Sequence, residues 1–182
     1  MRHTTLTIFD FDGTLYPITS YDSEQMLVLA EAKNRSRLFK KRCNHFIEQD
    51  QRGAFNDTSF HQHYAALVSR TTESKIKAVA DTLLSSVGEK EKTALLHLAS
   101  ISDLGILTCG TENLAWAFLE KLGIATRFSF IRGKRLWWNE KGIAELIVDI
   151  TGPEAKATAL DSLRTTYDTI IAIGDGPTDI PM

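Results

Sequence analysis

The sequence predicts an α/β fold, a parallel sheet interrupted near its start by an all-helical insertion. Three observations carry the prediction. An apolar run from Leu6 ends abruptly in Asp10-Phe11-Asp12-Gly13-Thr14. Helical periodicity then dominates residues 18–100. Strand and helix signals alternate from Leu104 onward, ending in a buried-type run, Thr169 to Ile173, that leads into Gly174-Asp175.

Taken in order, Met1-Arg2-His3 leads directly into the first strand, and Gly13 and Pro17 turn the chain out of it. Side chains on a strand alternate, so Asp10 and Asp12 share one side while Phe9 and Phe11 can pack inward. Asp22 and Gln25 are spaced as a capping box ahead of Met26, Leu27, Leu29 and Ala30, which predicts one or two helices over residues 22–51. Gly53 interrupts them. Asn56-Asp57-Thr58-Ser59 caps a third helix carrying Phe60, Tyr64, Leu67 and Val68. Ile76, Val79, Ala80, Leu83 and Leu84 repeat the spacing over residues 72–87, and residues 89–100 add a further helix.

A strand follows from Leu104 to Thr108, then Cys109-Gly110 and a helix from Thr111 that Gly123 stops. Phe128 to Ile131 and Leu136 to Trp138 are expected to pair as a hairpin about a turn at Arg132-Gly133-Lys134, with Trp137 and Trp138 straddling it. Residues 143–150 form another strand. Pro153 sits at the first position of a helix running to about Thr166, and Thr169 to Ile173 closes the pattern. Residues 1–17 and 101–182 thus make a discontinuous Rossmann-like core, with residues 18–100 as a helical cap.

Composition narrows the function. The chain has 182 residues, 43% of them hydrophobic, and a net charge of −2, which argues against nucleic acid or an anionic membrane as partner. No stretch has the length and apolarity of a signal peptide or a membrane span. Cys43 and Cys109 lack metal-ligand spacing, so the expectation is a reduced, cytoplasmic protein without disulfides. The basic run Arg35, Arg37, Lys40, Lys41, Arg42 reads as a solvated helix face. His61 and His63, two apart on a helix, point to different sides and do not form a metal pair.

Two carboxylates held as close as Asp10 and Asp12 repel, and a site that keeps both binds a cation or holds one of them protonated. Thr108 and Asp175 also fall at strand ends, where sites collect in parallel sheets. Lys134, Lys141 and Lys156 are competing choices for a cation beside these acids, with Lys156 favoured because it precedes the last strand.

Four segments, Asp-Phe-Asp-Gly-Thr-Leu at 10–15, Leu-Thr-Cys-Gly-Thr at 107–111, Lys156 in Gly-Pro-Glu-Ala-Lys, and Gly-Asp-Gly-Pro-Thr-Asp at 174–179, occur in the order found in a known family. The chain resembles the haloacid dehalogenase-like phosphohydrolases, most closely their phosphoserine-phosphatase-like branch. The resemblance implies that Asp10 is a nucleophile forming an aspartyl-phosphate, and that Asp12 protonates the leaving oxygen and then activates water. It makes Thr108 and the Cys109 N–H ligands of the phosphoryl oxygens, and Lys156 the cation neutralising phosphate and Asp10. It also implies Mg²⁺ held by Asp10, the Asp12 carbonyl and Asp175, with Asp179 acting through a water or steadying Lys156. The substrate implied is a small phosphorylated metabolite. An acid at position 12 separates this chemistry from halide displacement, which needs no proton donor there.

Two features depart from the pattern. Cys109-Gly110 stands where relatives often carry two small residues. The fourth motif usually leads into a further helix and strand, so the expectation is that the native chain continues past Met182, which an intact mass of 20.3 kDa for the gene product would contradict. A phosphomutase and a non-catalytic phosphate-ligand or partner-binding module remain the alternative readings.

Overall fold

The computed structural model describes residues 4–182, so the lead-in at Met1-Arg2-His3 lies outside the described residues. Five strands form one sheet, β1 (Thr5–Phe9), β2 (Asp103–Thr111), β3 (Phe128–Trp138), β4 (Ala144–Val148) and β5 (Thr169–Ile173), in the order β4-β3-β2-β1-β5. β5, β1, β2 and β3 are mutually parallel, and β4 is antiparallel to β3. Between β1 and β2 run α1 (Ser23–Ala32), α2 (Arg37–Gln51), α3 (Asp57–Val68), α4 (Glu73–Leu84) and α5 (Glu89–Leu98); α6 (Glu112–Leu122) follows β2 and α7 (Pro153–Leu163) precedes β5.

The strand period divides the core between the two sheet faces. Leu6 and Ile8 pack with Leu107, Ala159 and Leu160 under α7, whereas Phe9 and Phe11 join the larger cluster against α1 and α6. Phe11 is fully buried, edge-on to Tyr16 and Phe118 at centroid distances of 5.2 and 5.5 Å. α4 packs on α6 and α1 on α4, so the helices after β1 share one apolar core with the sheet.

Several local expectations change. Gln25 makes only half of a capping box: Asp22 accepts from the Gln25 N–H, but the Gln25 amide turns away to Asp50 at 2.7 Å. The predicted turn at Arg132-Gly133-Lys134 is absent. β3 runs straight through it, because Gly133 lies where a Cβ would come 2.7 Å from the Gly110 carbonyl oxygen, so this glycine serves close approach of two strands. The hairpin turn falls instead at Asn139–Gly142, where the Asn139 side chain accepts from the N–H groups of Lys141 and Ile143. Trp137 is exposed, and Trp138 packs and donates to the Thr71 carbonyl. β5, expected to be buried, is a sheet edge that leaves Ile171 47% and Ile173 37% exposed. Of the basic run, Arg37, Lys40, Lys41 and Arg42 are solvated on α2 as expected, whereas Arg35 precedes the helix, half-buried beside Glu31 at 4.0 Å and over the Phe39 ring. Cys43 and Cys109 are both free thiols. No helix among the described residues is long and apolar enough to cross a membrane.

Candidate active site

The carboxyl ends of β1, β2 and β5 and the N-terminus of α7 meet around one cavity of about 430 Å³. Asp10, Asp12, Thr108, Cys109, Lys156 and Asp175 line it. Asp179 stands behind the wall, joined to Lys156. Every residue singled out for the site is therefore brought together, and of the competing lysines only Lys134 shares the cavity.

Asp10 extends β1, its N–H donating to the Ile173 carbonyl at 2.9 Å. The residue is 6% exposed, and its carboxylate accepts from Lys156 Nζ at 2.8 Å. Lys156 is fully buried in the first turn of α7, where the helix dipole opposes a cation. Asp10 and Asp179, the latter at 2.6 Å, supply the compensating charge. Burial works against the Lys156 ammonium, yet these two carboxylates outweigh it and hold its pKa above the ordinary value. Asp10 moves the other way. Burial lifts its pKa to about 6 against the pull of Lys156, with Asp179 and Asp12 adding repulsion.

That shift has a measurable consequence. The folded chain keeps a proton that the unfolded chain, with an ordinary pKa of 3.8, has already released. Stability contributed by this group is thus full below pH 4 and falls as pH rises to about 6, a loss of up to about 3 kcal/mol. Denaturant unfolding in EDTA across that range should show this loss in the wild type and lack it in Asp10→Asn.

Asp12 is fixed differently. Tyr16 donates its hydroxyl to Oδ1, the Ser23 N–H donates to the same oxygen at 2.7 Å, and Ser23 Oγ donates to Oδ2 at 3.1 Å. Burial, then the Asp12 charge, push the Tyr16 hydroxyl pKa upward, so it remains a donor. These holders are not legible from spacing alone; the only signal is that Ser23 follows a helix cap. Gly110 faces the other side of Asp12. A Cβ there would sit 2.6 Å from Asp12 Oδ2 and 3.1 Å from Thr108 Oγ1, so Gly110→Ala should displace a carboxylate pinned by three donors and cut turnover by about 100-fold. Circular dichroism and steady-state kinetics on that variant check it.

Residues 108–110 bulge out of the β2–β3 ladder, whose register shifts between Leu107 and Thr111. Bulges re-aim backbone groups next to sites. Here Thr108 Oγ1 accepts from the Gly110 N–H at 2.8 Å, and Thr108 lines the cavity with Asp10. Burial raises the Cys109 thiol pKa despite Lys156 and Lys134 nearby, so the thiol stays protonated.

Oxygens of Asp10, Asp175 and Asp179 lie within 4.8 Å of one another. It is the one such trio among the described residues, and the Asp12 carboxylate is not part of it. An all-oxygen donor set beside an exposed aspartate suits a hard divalent cation. Gly13 makes room for it: its φ is +82°, and a Cβ there would overlap the Asp175 carboxylate.

The chain matches the family model for haloacid dehalogenase-like hydrolases over residues 7–182. It belongs to that family. Among solved structures, the chain resembles a haloacid dehalogenase family hydrolase from Salmonella enterica serovar Typhi, with TM-score 0.72 and 16% identity, over 100% of this chain and 60% of that one. It thus spans 60% of the length of that relative. A phosphoserine phosphatase captured as a phospho-aspartyl intermediate analogue matches with TM-score 0.70 and 17% identity, over 100% of this chain and 82% of that one. A cytosolic 5'-nucleotidase IIIB bound to cytidine matches with TM-score 0.70 and 13% identity, over 97% and 67%. These likenesses establish the fold. No curated protein matches the sequence.

Proposed function

We propose that this hydrolase cleaves a small phosphomonoester through a phosphoryl group carried on Asp10. The observation that supports this most is the Asp10–Lys156–Asp179 arrangement at the end of β1, a buried carboxylate whose cation partner is held in place by a second acid. Asp10 Oδ attacks phosphorus, and the bond from phosphorus to the ester oxygen breaks. Asp12, fixed by Tyr16 and Ser23, gives the leaving oxygen its proton. Water then attacks the same phosphorus and loses its proton to Asp12, the bond to Asp10 breaks, and inorganic phosphate leaves.

Thr108 and the backbone freed by the bulge bind the phosphoryl oxygens, and Lys156 offsets their charge. Asp10, the Asp12 carbonyl and Asp175 would hold Mg²⁺, whose charge lets carboxylates and a phosphate dianion share the cavity. Asp179, already bonded to Lys156 and to the Gly176 N–H at 3.2 Å, steadies the lysine. The helical segment 18–100 acts as the cap that selects the leaving group: α1, α2 and α3 contribute the cavity wall opposite the phosphate centre.

Phosphate release from a panel of phosphomonoesters, with Mg²⁺ and with EDTA, tests the proposal. Release that needs the metal supports it. Ligand binding without turnover on any ester would replace it with the binding-module reading.

A further inference from the structure

The wall that faces the phosphate centre carries charge of one sign. Lys134 and Lys156 are the only lysines or arginines lining the cavity among the described residues, and both are committed. Lys156 is held by Asp10 and Asp179. Lys134, 3% exposed, donates to Glu24 Oε2 at 2.6 Å and lies 4.3 Å from the centre of the Phe60 ring. The other Glu24 oxygen accepts from Thr111 at 2.5 Å, and Thr111 in turn pairs with the Tyr64 hydroxyl at 3.0 Å. This closed network leaves the Glu24–Lys134 pair neutral as a unit. His61 adds no charge at neutral pH, since burial and Lys134 lower its pKa.

What remains is Asp22 at the cap of α1, Asp50 near the end of α2 and Asp57 at the start of α3. Asp22 accepts from the Gln25 N–H at 2.8 Å and Asp50 from the Gln25 side chain at 2.7 Å. None of the three has an ion-pair partner among the described residues. They are also too dispersed for one metal ion, because the one close trio of acids among the described residues is Asp10, Asp175 and Asp179. Burial, with the charges of Asp12, Glu24 and Asp50, pushes the Asp22 carboxyl well above its usual range.

Resting on the phosphomonoester hydrolase reading above, we infer that the leaving alcohol carries an ammonium group and no carboxylate, a phosphorylated amino alcohol whose cation faces the wall carrying Asp22, Asp50 and Asp57. Three carboxylates without ion-pair partners on one wall create a negative field that attracts a cation on the leaving group, without all three touching it. A carboxylate on the leaving group would meet these three acids with no uncommitted cation to pair it. Phosphoserine carries both groups and should therefore be a poorer substrate than phosphoethanolamine, although phosphoserine phosphatases share the fold.

The test compares kcat/KM for phosphoethanolamine, its hydroxyl isostere ethylene glycol monophosphate, phosphoserine and p-nitrophenyl phosphate, all with Mg²⁺. The amine should exceed the isostere by about tenfold, the low end of what a charged hydrogen bond is worth, and should also exceed phosphoserine. In Asp50→Asn and in Asp57→Asn, an exposed position whose change spares the core, the amine-to-isostere ratio should fall by about threefold or more, through KM. Equal use of the isostere, preference for phosphoserine, or an unaltered ratio in both variants would overturn the inference and leave the hydrolase reading standing. Failure to turn over any of the four, p-nitrophenyl phosphate included, would overturn both.

Discussion

Asp10→Asn should abolish phosphate release, lowering kcat by about 10⁴-fold or more. Asparagine keeps the shape and the contact with Lys156 but is too weak a nucleophile to carry the phosphoryl group. The same substitution removes a carboxylate that burial has already pushed to a pKa of about 6. The metal-free variant should accordingly be at least as stable as wild type at pH 7, by thermal or denaturant unfolding. Lost turnover in a protein of unchanged or raised stability separates a chemical role from a structural one.

Lys156→Met should damage both properties. It leaves Asp10 and Asp179 buried with no cation between them, where Lys156 now stands 2.8 and 2.6 Å away. Breaking a buried ion pair from one side costs about 3–5 kcal/mol, and loss of a positive group at the developing phosphoryl charge costs about 10²–10³ in kcat. Adding Asp10→Asn and Asp179→Asn to Lys156→Met should recover most of the stability, because no buried carboxylate then lacks a partner. It should recover none of the activity. Urea midpoints and single-substrate kinetics on the single and triple variants give both answers.

The parts of this molecule that short-range rules govern were readable from its sequence. The alternation that buries Phe9 and Phe11 on one face, the caps at Asp22 and Asn56, and the glycine stop at Gly123 all depend on neighbours within a few positions. So did the gathering of Asp10, Thr108 and Asp175, since the ends of adjacent parallel strands converge once the sheet forms. The misplaced turn in β3 has a non-local cause. Gly133 and Lys134 look like turn residues until Gly110, from a different strand, needs the space beside Gly133. The partners of Asp12 and of Lys134 were illegible for the same reason. Glu24 and Lys134 are 110 positions apart, and a first-turn glutamate reads as a solvated helix residue until that fold brings a lysine to it. The exposure of β5 depends on its place at the sheet edge, which an apolar run does not disclose.

The most direct test of the account is to trap the covalent intermediate. Wild-type protein is mixed with a turned-over phosphomonoester and Mg²⁺, quenched in acid within milliseconds, digested, and examined by mass spectrometry for a phosphoryl adduct. The account predicts an adduct on the peptide carrying Asp10, absent from Asp10→Asn and discharged when the quench is delayed beyond substrate exhaustion. Phosphate release proceeding at the wild-type rate in Asp10→Asn, or an adduct confined to another residue, would contradict it.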